Sequence, residues 1–250
     1  MKILALDSSG LVASVAVVEN DTLLAEYTVN YKKTHSQTLL PMLDEISNMT
    51  ELDLSTIDAI AVAGGPGSFT GLRIGSATAK GLGLALEKPL ISIPTTAAIA
   101  YNIWDTDKFV CPIMDARRNQ VYTGVYCYTD HRLDTVWEQD TMSIEALAEG
   151  LNCLDHEVIF LGDGVAVYRE KLEALLTIPF SFAPAHVNRQ RAAAVGALAE
   201  VYYKEGKIQT AEEHEPECLR KSQAERERAE RESVKHADVV KKQENGEKSE

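Results

Sequence analysis

Residues 64–81 read GGPGSFTGLRIGSATAKG and follow directly on the apolar run IDAIAVA at 57–63. A short apolar run closed by glycines is a buried strand. The Gly-Pro-Gly loop then turns the chain, and a helix opens near Ser68 or Thr70, whose hydroxyls suit the uncapped first turn. The loop has two readings. It is a tight turn, or it is an anion site in which the backbone N–H groups of Gly65, Gly67 and Ser68 converge at the positive end of the helix. Glycines at 64, 65, 67 and 71 let a phosphate or another chain come close. No Gly-Lys-Ser/Thr closes the stretch, so it is not a Walker loop, and Thr70 stands where GxGxxG requires its third glycine.

Around this stretch the chain repeats itself. Residues 2–7, 12–18 and 22–29 have strand patterns, 34–49 a helical one, 57–63 is the strand above, and 70–87 is the helix that follows it. The order then recurs: strands at 109–115, 120–128 and 133–139, a helix at 143–151, a strand at 157–162, a helix at 165–176. A strand at 89–93 and a short helix near 95–104 join the halves. Each half's first strand ends in an aspartate and a turn, Asp7-Ser8-Ser9 and then Asp115-Ala116-Arg117. Each half's fourth strand ends in glycines, Gly64-Gly65-Pro66-Gly67 and then Gly162-Asp163-Gly164. Aspartates often simply end buried strands, but the matched pair favours a duplicated α/β fold. Two β-β-β-α-β-α units facing each other across a cleft resemble the actin-like, sugar-kinase and heat-shock ATPase superfamily, with its ribonuclease H-like topology.

With 250 residues the chain has room for two lobes. The expected division is an N-terminal lobe over 1–105, a C-terminal lobe over 106–222 whose last helix can return to the first, and a charged tail over 223–250. That tail has no aromatic residue and too few apolar ones to bury a core of its own. A net charge of −13 argues against autonomous nucleic-acid binding through a basic surface. No run of eighteen apolar residues exists, so no membrane span is expected. The four cysteines lack CxxC or disulfide-framework spacing, which fits reduced thiols and a cytoplasmic location.

The run AVAGGPGSFTGLRIGSATAKGLG at 61–83 resembles the signature of the TsaB (YeaZ) family. MKILALDSSG at the N-terminus, HSQTLLPMLDE at 35–45, DARRNQVYTGVY at 115–126 and PECLRKSQA at 216–224 extend the likeness over roughly residues 1–224. The resemblance implies an accessory subunit for threonylcarbamoyl modification of the adenosine beside the anticodon of ANN-decoding tRNAs. Its implied partner is the catalytic paralogue TsaD, with a TsaE-like ATPase in a ternary complex and tRNA reached through the complex. TsaD binds a metal through a His-x-x-x-His pair. Alignment through Pro89-Leu90-Ile91 puts Thr95 and Ile99 at those places, and neither is a transition-metal ligand. The six histidines include no HxxxH or HExxH pair, so no metal site and no catalytic residue are assigned.

By superfamily position, Asp7, Ser8, Ser9, Asp115, Arg117, Gly162 and Gly164 join Gly65, Gly67 and Ser68 as weak nucleotide or anion candidates. Mg²⁺-dependent ATP hydrolysis needs a placed carboxylate cluster, which the pattern lacks. No tightly bound cofactor is therefore expected, with ATP or ADP held only within the complex.

Met49 ends an apolar helical stripe and Leu40 lies off it on a second apolar face; Leu39, Met42, Leu43 and Ile46 form the body of that stripe, and Gly71, Gly75, Ala79 and Gly83 a small-residue stripe. A helix-interior glycine costs about 1 kcal/mol against alanine, so the second stripe implies close approach of a neighbour. That neighbour is either the helix's own sheet or a partner. The resemblance favours a TsaD-like partner, or a homodimer in its absence, docked on these eight residues. The competing reading is an independent enzyme of this fold, a small-molecule kinase or a metallopeptidase-like hydrolase.

Overall fold

The computed structural model describes residues 1–31 and 34–219. Two five-stranded sheets carry the fold. In the first, β1 (Lys2–Asp7), β2 (Val12–Glu19) and β3 (Thr22–Asn30) form an antiparallel meander. β4 (Ala59–Gly65) then runs parallel to β1, and β5 (Leu90–Pro94) parallel to β4, giving the order β3-β2-β1-β4-β5. The helices α1 (Leu39–Thr50), α2 (Phe69–Leu86) and α3 (Thr95–Ala100) follow β3, β4 and β5.

The second sheet repeats this plan with β6 (Phe109–Asp115), β7 (Gln120–Thr129), β8 (Arg132–Ser143), β9 (Val158–Leu161) and β10 (Phe180–Phe182), ordered β10-β9-β6-β7-β8. Its helices are α4 (Ile144–Leu154), α5 (Val165–Leu175) and α6 (Ala192–Lys204). Read from their outer meander strands, the two sheets have the same order, which is the duplicated actin-like fold. Residues 89–93, expected to join the halves, are instead the fifth strand of the first sheet. Its counterpart β10, three residues long, escaped the sequence pattern.

Strand alternation assigns the faces. In β1, Leu4 and Leu6 point to one core, with Ile60 and Val62 of β4 and with α1. Ile3, Ala5, Ala59, Ala61 and Ala63 point to the opposite face. That face meets α3 and α6, and its core continues through Val110, Met114, Tyr126 and Leu161 of the second sheet. A third core lies beyond, where Cys111, Ile113 and Phe160 meet α4 and α5. The layers are therefore α1 and α2, first sheet, α3 and α6, second sheet, α4 and α5. Met1–Cys218 is one compact unit, so the boundary expected at 105/106 runs through a shared core rather than a gap. The reason is the small-residue face of the first sheet, which admits α6 closely. A Cβ on Gly196 would lie 2.7 Å from Val18 Cγ2 and 3.3 Å from Ala5 Cβ. The tail expected over 223–250 lies outside the described residues.

The helix expected from residue 34 begins at Leu39, after a 3-10 turn over His35–Gln37. Pro41 explains the start: it has no N–H to donate and is tolerated in a first turn, not further in. α2 starts at Phe69 with Ser68 as its cap, the Ser68 hydroxyl accepting from Gly71 N–H at 3.3 Å. Among the described residues no helix is long and apolar enough to cross a membrane.

Gly196→Val inserts two methyl groups and a Cβ where 2.7 Å is already occupied. The change is expected to lower stability by about 2 kcal/mol, read as a drop in the urea midpoint at unchanged m-value. An unaltered midpoint would contradict this packing of α6.

Candidate functional site

The Asp7 turn and the glycine loop meet at the C-terminal ends of β1 and β4. Asp7 is fully buried, and its Oδ1 accepts from Ser9 N–H at 2.8 Å and from the Ser9 hydroxyl at 2.7 Å. The Ser8 hydroxyl donates to Gly71 O at 2.9 Å, and Ser68 N–H donates to Ser9 O at 2.7 Å. Glycine is required on the helix side of this contact. A Cβ would stand 2.3 Å from Ser9 O at Gly67, 2.1 Å from Ser8 O at Gly71 and 2.5 Å from Ser8 Oγ at Gly75.

These contacts correct the anion reading of the loop. Gly65 N–H donates to Thr95 Oγ1 at 3.2 Å, and Ser68 N–H and its hydroxyl are engaged as above. Residues 209–217 lie along α2 and across the loop. Glu217 N–H donates to Gly64 O at 2.7 Å, and a Cβ on Gly65, whose φ is +126°, would be 2.1 Å from Glu217 O. Gln139 Nε2 donates to both Gly65 O and the Glu217 carboxylate, at 3.1 and 2.6 Å. An anion here would find the Gly65 and Ser68 N–H groups already engaged and would meet the Glu217 carboxylate.

The matching turn of the second half is built the same way. Asp115 Oδ1 accepts from Arg117 N–H at 2.8 Å and from the Tyr168 hydroxyl at 3.2 Å. The Arg117 guanidinium lies 3.5 Å from Asp115 Oδ2 and is 84% exposed, so it points to solvent rather than to the Asp7 turn. Gly162 and Gly164 serve close backbone approach: a Cβ on either would fall 2.2 or 2.9 Å from Ile113 O. Their N–H groups donate to Asn188 O and Ile113 O.

The two halves touch at Gly10, between Ser9 and β2. A Cβ there would lie 2.5 Å from Gln190 Nε2 and 3.6 Å from Asp163 Oδ2. Gln190 is buried with neither amide atom partnered among the described residues, and the same holds for Asp7 Oδ2 and His35 Nδ1. His35 Nε2 is 2.8 Å from Gly10 O. Sequence reasoning missed Gln190 here and had Asp163 only as the middle of the Gly162-Asp163-Gly164 turn, because nothing local marks a residue that works through the other half.

Burial pushes the Asp7 carboxyl up to about 6, against the lowering by Ser9 and His35; Asp163 adds to the rise. Asp163 is raised by burial too, opposed by the Asp115 N–H and Arg189.

The expected interface residues lie on inner faces, which corrects their assignment. Leu39, Met42, Leu43 and Ile46 are at most 5% exposed in the core under the first sheet. Gly71 and Gly75 are pressed on Ser8, Ala79 is fully buried, and a Cβ on Gly83 would be 2.4 Å from Leu90 Cδ1. The outer faces are what remains open. Leu40, Met49 and Leu84 are exposed, and so is Gly81, where a Cβ would meet nothing within 4 Å.

At the places of the TsaD histidines, Thr95 and Ile99 are both fully buried, Thr95 bonded to the loop and Ile99 in the shared core. Among the described residues no three His, Cys, Asp or Glu side chains group as metal ligands.

A family model described as "TsaD: tRNA N6-adenosine threonylcarbamoyltransferase" matches residues 22–228. The "tRNA threonylcarbamoyladenosine biosynthesis protein TsaB" of Bacillus subtilis (strain 168) is 35% identical over 176 residues, 70% of this chain and 77% of the relative. The chain belongs to the TsaB family. The solved "YeaZ from Pseudomonas aeruginosa" superposes with a TM-score of 0.76 at 27% identity, covering 87% of this chain and 99% of that one. A polyphosphate/ATP-glucomannokinase from Arthrobacter, at TM-score 0.50 and 16% identity over 81% of this chain and 99% of that one, shares the fold alone. The family's name carries this TsaB relative into threonylcarbamoyladenosine biosynthesis on tRNA.

A carboxyl whose folded pKa is raised binds its proton more tightly in the native state. Stability is therefore lost as pH climbs from 3.8 through about 6, and the penalty is full above that. Asp7→Asn keeps an oxygen for Ser9 and removes the charge. Urea unfolding is expected to show it more stable than the parent by on the order of 2–3 kcal/mol at pH 8, and equal to it near pH 4. An equal difference at both pH values would contradict the assignment.

Proposed function

We propose that this TsaB-family chain is a non-catalytic subunit that docks and activates a TsaD-like threonylcarbamoyltransferase. The adenosine beside the anticodon of ANN-decoding tRNAs is the group modified. The outer faces of α1 and α2 form the docking surface, and the same surface serves a homodimer when the partner is absent. A TsaE-like ATPase joins the complex, and tRNA is reached through it.

One observation carries this reading. Gly81 sits inside an 18-residue helix, exposed, with open space where a Cβ would be. Interior helix glycine costs about 1 kcal/mol against alanine, and here no neighbour among the described residues offsets it. Close approach by another chain does. Leu40, Met49 and Leu84, exposed on the same side of the first sheet, supply apolar anchors for it. Thr95 and Ile99 support the non-catalytic part, since one hydroxyl already bonded to Gly65 N–H and one hydrocarbon offer no metal ligation. Nucleotide binding belongs to the assembled complex, because the loop donors and the Gly10 contact leave the isolated turn closed.

Gly81→Ala is expected to stabilise the isolated chain by about 1 kcal/mol in urea unfolding. Gly81→Arg and Leu84→Arg should fold normally and lose co-purification with a TsaD-like subunit, together with transfer activity in the reconstituted mixture. Full co-purification by both arginine variants would overturn the interface. Partner-independent transfer by the purified chain would overturn the non-catalytic reading.

A further inference from the structure

A second exposed surface lies away from α1 and α2, where the loop after α3 meets the β2–β3 and β7–β8 turns. Trp104 is 56% exposed, an unusual degree for the largest side chain. Its indole is flanked edge-to-face by Tyr101, at 5.5 Å between centroids and 81°, and by Tyr128, at 5.4 Å and 66°. Such pairs hold the indole in place while leaving it open to solvent. Among the described residues the cation–π partners are Phe69, Phe182 and Tyr202, so these three rings hold no cation from the chain itself.

Carboxylates surround the trio. Asp21 and Glu200 act on the Tyr101 hydroxyl, and Asp105 on that of Tyr128, after burial the largest influences in each case apart from Tyr101 itself on Tyr128. Glu200 is buried, and among the described residues its two oxygens accept from Asp21 N–H alone, at 3.2 and 3.1 Å. No side-chain cation among the described residues pairs with Asp21 or Glu200. Asp105 pairs only with His131, at 2.6 Å. The Tyr128 hydroxyl is buried with no hydrogen-bond partner among the described residues, out of reach of a group on the surface.

An exposed ring with a negative face, beside carboxylates of which Asp21 and Glu200 have no charged partner among the described residues, is complementary to a positive group. We propose that Trp104, Tyr101 and Tyr128, with Asp21, Asp105 and Glu200, form a binding surface for an arginine or lysine side chain presented by a partner protein. The guanidinium or ammonium lies on the exposed Trp104 ring and is neutralised by the carboxylates, to which buried Glu200 adds its charge without direct contact. This surface is separate from the transferase-docking face and does not depend on it.

The test uses the full chain and a fluorescein-labelled hexa-arginine peptide, with anisotropy as the readout at physiological salt. Saturable binding is expected, weakened about tenfold in Trp104→Ala, which is the loss of one cation–π contact of roughly 1.4 kcal/mol. Trp104→Phe keeps a ring and should bind within about threefold of the parent. Asp21→Asn with Asp105→Asn should weaken binding at least as much as Trp104→Ala. Binding unchanged in Trp104→Ala is diffuse attraction to the acidic surface and overturns the proposal. So does Trp104-dependent binding of labelled oligouridylate without binding of the peptide, which would make the surface a base-stacking platform. A thermal melt of each variant matching the parent secures the comparison.

Discussion

The carbonyls of Ser8 and Ser9 lie against Gly67 and Gly71 at distances no Cβ permits, and this contact sets the rest of the first half. It fixes the β1–β2 turn onto the start of α2, orients α2 on the sheet and places Asp7 beneath both, fully buried. Any larger residue at 67, 71 or 75 must separate turn from helix. The glycines are thus structural requirements of the fold. The segment ending at Glu217 closes over the same loop from outside, with Lys80 Nζ donating to His214 O at 2.9 Å along the way.

That closure separates two roles that actin-like proteins often combine in one cleft. Inside, the polar groups of the two halves meet at Gly10 with several atoms unpartnered and a carboxyl raised to about 6. A buried charge of this kind is a stability liability, which is common where function rather than stability constrains the residue. Outside, α1 and α2 keep apolar side chains and one uncrowded glycine in solvent. This exposed apolar surface is the one on which the proposed docking rests.

Much of this was legible in the sequence, and the limits have physical causes. The paired Asp turns and paired glycine ends announced the duplication, and the sheet orders carry it out strand for strand. Small residues four apart announced close approach, but periodicity alone does not name the neighbour; the stripe 71-75-79-83 left sheet and partner open, the resemblance favoured the partner, and the sheet itself stands there. Gly81, off that stripe, carried the informative signal and was not distinguishable without knowing which face was open. β10 is three residues of edge strand, too short for a period. The first half of α6 is marked by small residues whose meaning depends on the opposing sheet. Gln190 and Asp163 reach the first half only through tertiary structure. Trp104 and Asp21, 83 positions apart by their numbers, share a surface only because two turns converge.

The central claim is that the inner faces of α1 and α2 belong to the chain and the outer faces to its partner. Hydroxyl-radical footprinting of the chain, alone and mixed with a TsaD-like subunit, tests it most directly. Met49, Leu40 and Leu84 should lose reactivity on mixing while Met42 stays unreactive in both samples. Unchanged reactivity at the first three, with protection appearing instead around Arg117, would contradict it.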